Sequence, residues 1–373
     1  MRTFRSQSSS IAVIGFFAIA CGGNKKAPPP LASVSLPSGA ALKPFSPTNP
    51  SRSGPSAMVA LGDKVYIALS NVDANYSPGG PGLVAGLVPS TGAQSIIELG
   101  GPDGHQCTNT GHVAADGSKL YLSCSGSFTD NSGRGVVEVD TAGAGSVSRR
   151  AVVPSGFAPG ALAVAPGKIW IGDVLSASLI SIDRGSFTVA DGGAGHPAIQ
   201  LPCTALYTYV SGLAVIGGDL YALCGATDGY MVRLDAATGK AKGSPVLVGG
   251  QPIALTATGD SRIAVANSTS GDVALVTVSP GGMTAVRSPL PSSSDLEDVA
   301  ARNQFLYVVS AATQTVVKID LSAAGGFKVV DSRSVSPNTD PTRIVMLDDD
   351  VGVVSDYLSG KVIGIRFDLP APK

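Results

Sequence analysis

Charge is scarce in this sequence and nowhere concentrated: charged residues make up 14% of the chain and the formal net charge is −1. Without clusters of Lys or Arg it offers no electrostatic footprint for nucleic acid and no polybasic surface for a membrane. Three histidines are too few for a credible metal or catalytic cluster, and the single Trp170 leaves little stacking surface for a quinone-type cofactor. No Gly-x-Ser-x-Gly presents a nucleophile and no Cys-x-x-Cys presents a redox or zinc pair. Beyond the N-terminus no sustained 3.6-residue period appears, while Gly (47) and Pro (26) are abundant, so long helices are excluded and the chain reads as all-β.

What is present begins with an address. Arg2 and Arg5 precede an apolar run from Ile11 to Ala20. Its length corresponds to about 15 Å of helix, about half of a bilayer core, which marks a signal-peptide h-region and not a membrane span. The run ends in Ala18-Ile19-Ala20-Cys21, which resembles a bacterial lipobox with Ala18 standing where Leu is usual. The resemblance implies lipidation of Cys21; ordinary cleavage near Ala20 is the alternative. Residues 1–20 are thus expected to be a lipoprotein signal peptide. Residues 21–32, with the run Gly22-Gly23-Asn24-Lys25-Lys26-Ala27-Pro28-Pro29-Pro30, are expected to be a flexible tether, so that the only membrane attachment is the N-terminal lipid.

From 33 to 369 the chain repeats itself. Second-strand segments align as Val65-Tyr66-Ile67, Leu120-Tyr121-Leu122, Ile169-Trp170-Ile171, Leu220-Tyr221-Ala222, Ile263-Ala264-Val265, Leu306-Tyr307-Val308 and Gly352-Val353-Val354. Third-strand segments ending in Asp140, Asp183, Asp235, Asp320 and Asp368 follow in the same order. Repetition at a fixed phase marks these aspartates as turn formers. Seven units of this kind, each a meander with apolar faces it cannot bury alone, require a ring of stacked blades. The expected fold is a seven-bladed β-propeller of four-stranded antiparallel blades. The last unit supplies only three strands, and Ser33-Val34-Ser35-Leu36 is the natural fourth, closing the ring.

The unit Arg262-Ile263-Ala264-Val265-Ala266-Asn267-Ser268-Thr269-Ser270-Gly271-Asp272-Val273 resembles the repeat of the YVTN-type propellers and, more distantly, the lactonase-like propellers. The resemblance spans roughly residues 55 to 368 and implies the fold; a fold of this kind hosts many functions. Four cysteines remain after Cys21. Cys107 and Cys203 each precede a first strand, and Cys124 and Cys224 each end a second one. Their equivalence in units two and four gives the pairs Cys107–Cys124 and Cys203–Cys224, each worth ~3 kcal/mol in the chain-entropy model. Such staples belong to an exported protein.

Functional residues are expected on the face where loops enter the first strand and link the second to the third. Asn71, Asp73, His112, Asp173, Asn267, Asp295, Glu297 and Asp356 form the candidate ligand face, with turn-capping as the competing role for each. Strand alternation would place Asp295 and Glu297 on one face and Asp298 on the other. Glu297, Asn267 and Asp356 could offer hard oxygens to a divalent cation, as the lactonase resemblance implies. Asp348-Asp349-Asp350 reads as a hairpin turn on the opposite face. The long stretches 71–82 and 125–135 make units one and two the most elaborated part of the loop face. These features favour an envelope-anchored scaffold that binds a protein or glycan partner, with no catalytic residue assigned. The alternative is a metal-dependent, lactonase-like hydrolase with a divalent ion in the channel.

Overall fold

The computed structural model describes residues 34–35 and 54–368, apart from 73–77, 79, 101–106, 144, 192, 194–197, 204–207, 291–294, 323–325 and 336–338. The segments expected to be signal peptide and tether, Cys21 included, therefore lie outside the described residues. Seven antiparallel sheets follow one another along the chain: 55–98, 110–151, 159–200, 209–249, 252–289, 296–334 and 341–366. The first strands touch one another in succession, and Pro341–Met346 of blade seven returns to Pro55–Leu61 of blade one, so they line a central channel. In blade three the outermost position is shared by two short segments, Val189–Asp191 and Ile199–Gln200.

The ring closes as the three-stranded last repeat requires. Val34 pairs with Val362 and Ser35 with Lys361, supplying the fourth strand of blade seven. Gln94 of blade one adds a bond from Nε2 to the Ser35 carbonyl at 3.0 Å. Both cysteine pairs form within their own blades, with Cα–Cα separations of 5.3 Å for Cys107–Cys124 and 6.4 Å for Cys203–Cys224. The two disulfides fit an oxidising, exported compartment. No helix among the described residues is long and apolar enough to cross a membrane.

In five of the seven blades an aromatic at the middle of the second strand packs between blades. Tyr66, Tyr121, Trp170, Tyr221 and Tyr307 are all buried. Trp170, from blade three, donates from Nε1 to the Ala236 carbonyl of blade four at 2.8 Å, and this bond meets its one polar need without breaking the apolar interface. The third-strand aspartates act as turn formers: Asp183 accepts the Ser186 amide at 2.8 Å, Asp235 the Thr238 amide at 2.9 Å and Asp320 the Ser322 amide at 2.9 Å. Asp348 likewise accepts the amides of Asp350 and Val351 in the hairpin turn of blade seven.

One irregularity recurs in every blade. Each first strand slips register next to its loop-face end, at Pro55/Ala57, Thr110/His112, Pro159/Leu162, Val210/Gly212, Pro252/Ala254, Leu296/Asp298 and Pro341/Arg343. An inserted residue bends the strand and re-aims the side chains around it. Polar side chains there tie neighbouring blades together: Ser56 Oγ donates to Thr110 O at 2.6 Å, Ser123 Oγ to Gly160 O at 2.6 Å and Ser125 Oγ to Pro159 O at 2.7 Å.

Candidate functional site

The loop-bearing face carries two distinct polar constructions. The first is built by bulges at the channel. In blade six Leu296 pairs with Ser310 and Asp298 with Val309, leaving Glu297 as the inserted residue, while Asp295 turns through a positive φ of 56°. The alternation expected for Asp295, Glu297 and Asp298 is therefore interrupted, because a bulge removes the two-residue period where it sits. Blade seven repeats the device, and Arg343 follows its inserted residue Thr342.

Arg343 and Asp298 clasp three blades. The buried Arg343 guanidinium donates from Nε to Ser56 O of blade one at 2.8 Å, and from Nη1 to Glu297 O of blade six and to Thr342 O, both at 2.7 Å. Asp298 accepts the Ile344 amide of blade seven at 2.9 Å and its neighbour's Val299 amide at 2.9 Å. Burial pushes Glu297 up to about 8; Arg343 opposes this, whereas Asp295, Asp340 and Asp298 add to it. Asp298 is pushed up to about 6 by burial, against the pull of Arg343 and two amides. His112, buried in blade two, is held well below the ordinary imidazole value by burial and then by the Arg343 charge. Both shifts favour the uncharged forms, the protonated acid for Glu297 and the neutral imidazole for His112.

Other candidate residues serve the loops. Asp173, Asn267 and Asp356 end the second strands of blades three, five and seven at equivalent positions. Asp173 accepts the Ala158 and Leu175 amides at 3.1 and 3.0 Å and the Ser176 hydroxyl at 2.7 Å. Asp356 does the same with the amides of Asp340 and Leu358, at 2.9 and 3.2 Å, and with the Ser359 hydroxyl. Asn267 turns its amide group to Val248 O at 2.9 Å and Asp272 Oδ1 at 2.6 Å. Of the three residues read as cation ligands, Asp356 gives its oxygens to the loop of its own blade, Asn267 keeps a buried Oδ1 without a partner among the described residues, and Glu297 is the inserted residue of blade six. Among the described residues no three His, Cys, Asp or Glu side chains are grouped to hold a metal ion. Asn71 is buried and donates to Pro81 O at 2.8 Å, and Asp295 accepts the Ser268 hydroxyl at 3.2 Å. Asp73 lies outside the described residues, as do His105 and His196.

The second construction is a groove of about 460 Å³ against blade two, walled by the 131–135 loop, the Cys107–Cys124 disulfide, Thr108, Arg150 and the stretch 152–155. The loop between second and third strands runs over 125–134 here, whereas blades three to seven need only 174–177, 226–228, 268–271, 311–314 and 357–360. It is internally bonded: Ser127 N donates to Ser132 O at 2.8 Å, Gly126 N to Thr108 O at 3.0 Å and Thr108 N to Gly133 O at 3.2 Å. Gly126, at φ 69°, is required there, since a Cβ would lie 2.3 Å from Ser132 O and 2.5 Å from Arg134 Cγ. Around the groove Phe128 and Val152 are 50% and 62% exposed, and Leu175 stands 56% exposed on the adjacent loop of blade three. Length and composition of 125–135 had pointed here. Arg134 and Arg343 had no such signal, being lone cations whose surroundings only the fold assembles.

No family model and no curated relative matches this sequence. Solved structures do match. Virginiamycin B lyase from Staphylococcus aureus is similar with a TM-score of 0.62 at 12% identity, over 84% of this chain and 95% of that one. BamB from Moraxella catarrhalis is similar at 0.52 and 15%, over 84% and 85%. A putative 6-phosphogluconolactonase from Bacteroides fragilis is similar at 0.56 and 12%, over 76% and 85%. At such identities the likeness shows the fold, and the chain is a seven-bladed β-propeller whose structural neighbours include lyase, lactonase-like and BamB propellers.

Proposed function

We propose that this protein is an exported, lipid-anchored propeller that acts as a binding scaffold, presenting the loop face of blades two and three to a protein partner. The observation that carries the reading is the groove lined by the exposed Val152 and by Arg134, over which Phe128 stands exposed. Large apolar side chains exposed around a rigid concavity are costly in isolation and are what an interface core uses. A glycan partner is less well matched, because neither Trp nor Tyr lines this groove. The anchor reading rests on Cys21 and the tether behind it.

Photo-cross-linking of the full chain in native envelopes, compared with Phe128→Ser/Val152→Ser, tests the face. A discrete cross-linked protein that disappears in the double variant, with the β-sheet circular dichroism unchanged, supports the reading; identical cross-linking in both overturns it. Incorporation of labelled palmitate into the full chain and its loss in Cys21→Ser tests the anchor. A hydrolase reading draws on one observation, the protonated Glu297 at the channel. Lactone turnover abolished by Glu297→Gln would establish it in place of the scaffold.

A further inference from the structure

The walls of the blade-two groove say more about what it takes than its shape does. Two guanidinium groups, Arg134 and Arg150, line it, and no Asp or Glu does so among the described residues. Arg134 is half-buried. It donates from Nε to Ser125 O at 3.1 Å, from Nη1 to Phe157 O at 3.4 Å and from Nη2 to Ser127 O at 3.5 Å. Two further N–H groups of its five-donor fork have no acceptor among the described residues, and no carboxylate pairs with it. The acids whose charge reaches it are already committed: Asp173 to the loop of blade three, Asp130 to the Ser132 amide at 2.9 Å.

A second observation is independent of the charge. Thr108 also lines the groove; it is only 6% exposed, and its hydroxyl has no hydrogen-bond partner among the described residues. Buried hydroxyls in folded chains are ordinarily bonded, so this one is a donor left over just beneath the groove wall. The remaining walls are apolar, formed by Val137, Val152, Val153 and Pro154 with the disulfide. Cation, spare hydroxyl and apolar wall together describe a carboxylate attached directly to an apolar residue.

We propose that this groove binds the free C-terminal carboxylate of a partner protein, with Arg134 as the anion anchor and the Val152–Pro154 wall receiving the terminal side chain. An α-carboxylate and its own apolar side chain leave the same carbon, so both fit a concavity of this volume. A glutamate within a chain would bring two flanking peptide segments through a groove walled on one side by the 131–135 loop. The guanidinium fork matches a carboxylate with two parallel bonds, and partial removal from water strengthens them. Gly126 serves as a positioning residue, since any side chain there would displace Arg134. The inference rests on the scaffold reading and names the chemistry of the partner.

The test uses the full chain in mild detergent and fluorescein-labelled tetrapeptides ending in Leu, Val or Phe, read by fluorescence polarisation. Three pools are compared: free C-terminal acid, C-terminal amide, and an amide pool with Glu in the third position. The acid pool is expected to bind about tenfold or more tightly than the amide pool, and to weaken as salt is raised. Arg134→Gln should lose that preference and Arg134→Lys should keep part of it. Equal binding of acid and amide, or binding of neither, overturns the proposal, and so does a Glu-amide pool that matches the free acid. The acid-to-amide ratio is measured on the unaltered chain, so a poorly folding Arg134 variant does not weaken the test. If the ratio is one while Phe128→Ser/Val152→Ser still abolishes cross-linking, this inference fails and the scaffold reading stands. A tenfold ratio with cross-linking unmoved by that double variant fails the scaffold reading instead.

Discussion

Replacing Glu297 with Gln should stabilise the propeller, and only at high pH. The carboxyl belongs to a partly exposed residue at the channel beside Asp295, Asp298 and Asp340, and desolvation pushes it up to about 8 in the native chain. Unfolded, it returns to the usual glutamate range, about 4.3. Below the unfolded value both states hold the proton and the group contributes nothing to the pH dependence. Between the two values the unfolded chain releases the proton while the native chain keeps it, so stability falls as pH rises, and it levels off above about 8. At 1.36 kcal/mol per pH unit the ceiling is ~5 kcal/mol; rearrangement and water entering the channel mouth reduce this to ~2 kcal/mol. For a chain of this size that corresponds to roughly 4 °C in Tm. His112 acts in the opposite sense, because its lowered imidazole value makes stability fall as pH drops below the ordinary value of 6.5. The informative quantity is therefore the difference between Glu297→Gln and the parent, from which His112 cancels. Thermal unfolding at pH 4.5 and 8.5 should show almost no difference at the lower pH and a variant about 4 °C more stable at the higher. A difference that stays flat between these pH values would refute the raised value of this carboxyl.

Three further outcomes are expected. Trp170→Phe removes the bond to Ala236 O and should cost ~1–3 kcal/mol in guanidinium unfolding, since that carbonyl stays buried between blades three and four. Removing the blade-two staple with Cys107→Ser/Cys124→Ser should cost ~3 kcal/mol, measured the same way, with the blade-four staple Cys203–Cys224 intact as an internal control. Deleting 33–36 takes away the strand paired to Lys361 and Val362 and exposes the Lys361–Arg366 edge. Concentration-dependent association in light scattering is the expected result, and a strictly monomeric deletion would mean that the closure is dispensable.

The fold was legible because a propeller writes its architecture many times. Second strands with an aromatic at one phase, third strands closed by Asp140, Asp183, Asp235, Asp320 and Asp368, and a last repeat one strand short all state the same geometry. No single unit needs to be strong when seven agree. The cysteine pairs were legible for the same reason, since Cys107 and Cys203 occupy equivalent places, as do Cys124 and Cys224. Asp173, Asn267 and Asp356 show the converse. Their equivalence, visible in the repeat, marks them as caps of one recurring turn, and a polar residue in several blades at one phase is better read as geometry than as chemistry.

The polar clusters were not legible, and the reason is the bulge. Two-residue alternation assigns faces along a strand, but an inserted residue resets the count at the loop-face end of every first strand, where function would sit. Ser56, Glu297 and Thr342 occupy those insertions, and Arg343 follows one, so their neighbours come from other blades: Arg343 reaches Glu297 across a sequence distance of 46 and Ser56 across 287. Nothing local in Pro341-Thr342-Arg343-Ile344 says whether its cation meets water or three carbonyls. Arg134 poses the same problem with the opposite solution. Both cations are partly or wholly withdrawn from water, but Arg343 has its charge taken up between blades, whereas Arg134 has donors left over beside a groove. A buried cation that the fold has satisfied holds blades together; one that the fold has left partly unsatisfied is where a ligand completes the structure, and that difference separates the two sites on this face.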